Sequence, residues 1–158
     1  MTQPTPCRLR RRWAFTLLEL CLVLLIAGIL AAVGIARLGR LSIAMAEGER
    51  VARRLVADIR CARSQAITTV TNHYLLFVDG GSGYTSYAVY RVEAGGDVQV
   101  EPPRAVADSV SLTGSATRAE FTPQGEALAT YSFGVTSPGH SYSITVVAAT
   151  GTAILEEP

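Results

Sequence analysis

Apolar positions fall along this chain in three different rhythms. From Phe15 to Ala36 almost every residue is apolar or small, and Glu19 is the one charge in the run. From Val51 the apolar residues recur at Leu55, Ile59, Ala62 and Ala66, steps of four, four, three and four that form a narrow helical stripe. Past residue 70 the pattern shortens to β-branched and aromatic runs broken by glycine and proline. These rhythms predict one long helix from about Phe15 to Ile67, then antiparallel strands. The strand candidates are Tyr74–Val78, Tyr84–Val92, Val98–Val100, Val110–Thr113, Arg118–Phe121, Ala129–Val135, Tyr142–Ala148 and Thr152–Leu155. Asp79–Gly83, Ala94–Asp97, Pro102-Pro103, Pro123–Gly125 and Pro138-Gly139 supply turns between them. The fold class is therefore α+β, a helix packed on antiparallel sheet.

The first rhythm has membrane length. Phe15–Ala36 is 22 residues, or about 33 Å at roughly 1.5 Å per residue, enough for a hydrocarbon core of about 30 Å. Arg8, Arg10, Arg11 and Arg12 precede it, while Arg37 and Arg40 follow closely. That bias puts the N-terminus in the cytoplasm and the rest outside it. A secretory signal, cut near Ala31–Val33 or Gly34–Ala36, is the competing reading. It leaves Glu19 unexplained, because a charge at the centre of such a helix costs about 2.5–3.5 kcal/mol unless it meets a cation.

The run Ala14-Phe15-Thr16-Leu17-Leu18-Glu19 resembles the processing site of type IV pilins and of the pseudopilins of type II secretion systems. The resemblance implies a pilin fold and cleavage by a prepilin peptidase between Ala14 and Phe15, on the cytoplasmic side. Phe15 then becomes an N-methylated first residue and Glu19 the fifth. It also implies that Glu19 meets the α-amine of a neighbouring subunit, so that both charges are neutralised in an apolar bundle. The family usually carries Gly where Ala14 stands, and a proline near the position of Ala36 and Arg37. Residues 52–67, with Phe121-Thr122-Pro123-Gln124-Gly125 and Thr150-Gly151, are similar to the minor pseudopilin H and FimT-type subfamily. The implied organisation is a leader at 1–14, a transmembrane and polymerisation helix at 15–36, its amphipathic continuation at 37–67, and a periplasmic β-rich domain at 68–158.

Composition fits one modest domain on an anchor. The chain has 158 residues, and about 120 lie beyond the apolar run, enough for a single core. All 14 basic residues are arginine. Removing residues 1–14 leaves 10 arginines against 13 acids, a net −3 that suits polyanions poorly. Cys7 departs with the leader, while Cys21 and Cys61 sit 40 residues apart on one helix, about 60 Å, and cannot pair. Cys61 is read as a buried small hydrophobe. Glu49, Arg50, Arg53, Arg54, Asp58, Arg60 and Arg63 fill the other helix faces, with Glu49–Arg53 in the favourable i,i+4 order. That arginine-rich face is read as solvated or in contact with another subunit, and Gly39 and Gly48 as positions where the helix loosens.

Catalytic chemistry finds no support. His73 and His140 have no metal-ligand spacing and no nucleophile motif beside them, and both are read as surface or turn residues. Gly80-Gly81-Ser82-Gly83 lacks the lysine of a phosphate loop. Asp79, Asp97, Glu101 and Asp108 form no compact calcium loop. No enzyme activity, cofactor or metal is expected. Two functions remain. One is a minor pseudopilin in or near the tip of a short periplasmic filament, anchored in the inner membrane and contacting other pseudopilins and the prepilin peptidase. The other is a FimT-like minor pilin of a type IV pilus, serving assembly or DNA uptake. DNA binders of that subfamily are expected to carry Gly-Arg-x-Arg near the C-terminus. Here Gly151 leads into Thr152-Ala153-Ile154 and then Glu156-Glu157, so nucleic acid is not the expected partner.

Overall fold

The structure, a computed structural model, describes residues 17–157, the side chains of 32–45 excepted. The chain divides into two compact units at Gly39/Arg40. The described residues form one helix, α1 (Leu17–Thr69), and nine strands. The strands are β1 (His73–Asp79), β2 (Tyr84–Arg91), β3 (Val98–Gln99), β4 (Arg104–Ala105), β5 (Ser111–Gly114), β6 (Arg118–Phe121), β7 (Tyr131–Ser137), β8 (His140–Val147) and β9 (Thr152–Glu156).

In the first unit the side chains of 17–31 are all exposed, from Leu17 at 81% to Ile26 at 48% among the large apolar ones. A helix apolar on every side has no polar face to turn to water. Among the described residues no helix is long and apolar enough to cross a membrane. The expected span of 15–36 lies partly outside them, as do the leader and Phe15.

The second unit holds the core. The expected antiparallel strands divide between two sheets. One runs β3-β2-β1-β6 with β4 also on β2, and the other runs β5-β7-β8-β9. Strand alternation sets which residues face inward. Along β7, Tyr131, Phe133, Val135 and Ser137 are buried, while their neighbours are half-buried or exposed. On β8 the inward set is Tyr142, Ile144 and Val146. The central strand β1 buries both faces near its start, which is why it reads as a continuous apolar run. Phe77 joins the sheets, with ring centroids 4.7 Å from Phe133, 5.1 Å from Tyr84 and 5.6 Å from Tyr87.

Helix α1 covers this core with Ala52, Leu55, Val56, Ile59, Ala62 and Ala66. The stripe is wider than expected: Ala52 and Val56 join it, and Val51 is only half-buried. The small residues let the backbone approach the sheets closely. At Gly48 a Cβ would fall 2.3 Å from Ser137 Oγ, so this glycine serves close packing while the helix continues through it. Three other expectations are corrected. Cys61 is exposed, because it falls beside the buried stripe and not on it. His73 is buried at 1% exposure, since the first residue of β1 already lies under cover, and its Nδ1 sits 3.1 Å from the Thr71 carbonyl oxygen. Asp58 is also buried. His140 is exposed, 3.4 Å from Glu157.

Candidate assembly interface

The residues expected to drive assembly are only partly described. Ala14 and Phe15 lie outside the described residues. Glu19 is the third described residue of α1. Its neighbours Leu17, Leu18, Leu20 and Leu22 are 81%, 76%, 55% and 56% exposed. That is a large unburied apolar surface around one acid, the kind that marks a contact with lipid or other helices.

In the second unit, α1 is fastened to the sheets by two polar locks. The first is built on Asp58, whose Oδ2 accepts from the Tyr87 hydroxyl at 2.8 Å and lies 2.9 Å from Arg104 Nε. Arg104 Nε makes that approach without an aligned hydrogen bond, so the contact is an ion pair. Its Nη2 donates to Glu101. Burial, then the charge and hydrogen bond of Asp58, push the Tyr87 hydroxyl far above its ordinary value of 10.0. The Cys61 thiol is raised too, by partial burial first and then by Glu101 and Asp58. The sequence pattern alone places Asp58 on the outer, arginine-rich face of the helix. The missed signal lay in distant partners, Tyr87 and the short strand β4, that no local period reveals.

The second lock joins the two turns singled out in the sequence. Phe121 is fully buried, and Pro123–Gly125 turns the chain beneath the end of α1. Gly125 N donates to the Thr122 carbonyl at 2.9 Å, and Arg63 Nε donates to the Gly125 carbonyl at 2.9 Å. Gly151 docks against the same carbonyl: at φ 60°, a Cβ there would lie 2.3 Å from Gly125 O and 3.1 Å from Arg63 Cδ. Arg60 Nη2 donates to the Ala153 carbonyl on β9 at 3.2 Å. So the aromatic-x-Pro-x-Gly turn, the late glycine and two helix arginines form one junction.

On the outer face of the first sheet, Tyr74 stacks on Tyr90 at 5.3 Å with Arg118 3.7 Å above its ring. Burial, then its hydrogen bond to Asp97, raises the Tyr74 hydroxyl to about 12. A cleft of about 720 Å³ opens between the β1–β2 turn, the loop 105–110 and the end of β7. Asp108 is the single ionisable acid in its lining. Among the described residues no three His, Cys, Asp or Glu side chains gather to hold a metal.

The family model described as type II transport protein GspH matches residues 51–151, which span the helix stripe, β1 to β8 and the Gly125–Gly151 contact. The chain belongs to the GspH family. This GspH-family chain is thus a type IV pilin-like minor pseudopilin of type II secretion, as the resemblance of residues 52–67 and of the two turns implied. No curated protein matches it significantly. Its fold is similar to that of the minor pseudopilin EpsH from the type 2 secretion system of Vibrio cholerae. That match has a TM-score of 0.61 at 13% identity, covering 71% of this chain and 98% of that one. The type IV minor pilin FimU of Pseudomonas aeruginosa is also similar, with a TM-score of 0.57 at 17% identity, covering 70% and 96%. The GspH family is one of structural pseudopilins, components of a periplasmic filament that assemble with other pseudopilins.

Proposed function

We propose that this pseudopilin is a structural subunit in or near the tip of the filament, processed between Ala14 and Phe15 and joined to its neighbours through Glu19. The observation that carries this reading is the exposed, all-round apolar surface of 17–31 with Glu19 at its head. In sequence the run continues to Ala36, long enough to span the inner membrane once, with the N-terminus cytoplasmic and the globular unit periplasmic. The prepilin peptidase removes residues 1–14 and methylates the new amine of Phe15. Within the filament that amine and the Glu19 carboxylate of an adjacent subunit neutralise each other, because either charge alone in an apolar bundle is costly.

A protein of this kind works by contacts, without a catalytic residue. The secretion reading is favoured over DNA capture by β9. Gly151 is consumed by the junction with Gly125, and the strand after it offers Thr152, Ala153 and Ile154 before Glu156 and Glu157, with no arginine to meet phosphate. Intact-mass analysis of membrane-extracted protein, with and without a co-expressed prepilin peptidase, tests the processing step. The expected product lacks residues 1–14 and carries one added methyl. An uncut mass would mean that Ala14 blocks the enzyme, and a cut near Ala36 would remove the filament reading altogether.

A further inference from the structure

We infer that Arg50 and Arg54, with the cleft they border, form a docking site for an acidic segment of a neighbouring protein subunit. Eight arginines in the second unit beyond residue 45 have described side chains, and six of them are satisfied within the chain. Arg53, Arg91, Arg104 and Arg118 pair with carboxylates, and Arg60 and Arg63 donate to backbone carbonyls. Arg50 and Arg54 alone have neither an ion pair nor a hydrogen bond among the described residues. They stand one helical turn apart on α1, both exposed.

Two like charges at this spacing on a helix oppose each other. The acids closest in sequence do not relieve them. Glu49 is engaged by Arg53 and Glu47 by Ser109, while Asp58 and Glu101 are held by Arg104. The two free guanidinium groups line one cleft of about 140 Å³ between α1 and the β4 segment, walled by Val51, Tyr87 and Val106. Pockets for whole small ligands run about 300–1,000 Å³, so this one admits a single side chain. Arg104 also lines the cleft, but its charge is already met by Asp58 and Glu101. The two unpaired cations beside it suit an Asp or Glu side chain entering from a partner surface, with charge-assisted hydrogen bonds from both. A polyanion fits less well, because the unit carries 9 arginines against 12 acids from Arg40 onward, and two phosphate contacts sustain little affinity.

The inference deepens the filament reading by naming a contact surface, and its test does not depend on processing or incorporation. The full chain, in detergent micelles with ¹⁵N label, is titrated with hexaglutamate and followed at the backbone amides of Ala105, Val106 and Ala107. Saturable shifts at those amides are expected. They should weaken at least tenfold in the Arg50→Glu/Arg54→Glu double variant and persist in Arg53→Glu, which removes a paired arginine from the same helix. Absence of shifts at 105–107, or their survival in the double variant, would overturn the site. A DNA duplex that shifts the same amides at lower concentration than hexaglutamate would overturn the choice of partner. Binding of hexaglutamate that is the same with and without residues 1–14 would support the docking site, and a failure of processing would show only in the intact mass.

Discussion

Asp58 lies 2.8 Å from the Tyr87 hydroxyl and 2.9 Å from Arg104 Nε, each on a separate element, so removing Asp58 breaks both contacts. Asp58→Ala leaves the buried Tyr87 hydroxyl without its acceptor and takes from Arg104 one of its two carboxylate partners, Glu101 remaining. We expect a loss of about 2–4 kcal/mol in denaturant unfolding of the solubilised chain. Tyr87→Phe keeps the ion pair and should cost less, about 1–2 kcal/mol at neutral pH. Tyr74 and Tyr87, among the tyrosines whose hydroxyls are raised, also set an alkaline limit. Both hold their protons more tightly folded than unfolded, so their contribution is intact below pH 10. It is lost as pH rises, through about 12 for Tyr74. The melting temperature should therefore fall above pH 10, in step with tyrosinate absorbance, and fall less steeply in Tyr87→Phe. A flat profile would contradict the assignment.

Among the elements, the junction of the two turns with α1 makes the sharpest demand on residue type. Gly151→Ala combines a left-handed backbone with a Cβ 2.3 Å from the Gly125 oxygen, and about 2–4 kcal/mol should be lost in thermal unfolding. Val70, just after α1, sits at φ 53° despite its branched side chain. Val70→Gly should stabilise by about 1 kcal/mol, because 72% exposure leaves little packing to lose. Much of this level was legible in the sequence. The helix stripe, eight of nine strands and the turn at Pro123–Gly125 follow from period and turn chemistry, while Gly151 stands out in the sequence only through the family resemblance. The strand β4 was not, since two residues after Pro102-Pro103 carry no period. Asp58, His73 and Cys61 were misplaced for a related reason: a polar residue on a helix flank or at a strand start is buried or exposed by what tertiary packing brings over it. The unpaired state of Arg50 and Arg54 likewise emerges only once every other arginine has found its partner.

For the whole molecule, the proposed role turns on Glu19 and on contacts between subunits. Glu19→Ala should leave membrane insertion intact and lower recovery of the chain in sheared filaments about tenfold or more, and Glu19→Gln should behave similarly because charge, not size, is lost. Equal recovery of all three forms would remove the charge-pairing argument. The order of strands has a further consequence. The chain lays down β1 to β4 in one sheet, crosses to place β5 in the other, returns for β6, and then completes the second sheet with β7 to β9. Neither layer is finished before the chain has passed back and forth, and Arg63 waits for a glycine carbonyl 62 residues later. A nascent chain halted after β6 would hold the first sheet's strands with only β5 of the second to cover them. The unit should therefore close late and all at once during export, remaining a protease substrate until β9 has emerged and becoming resistant in a single step.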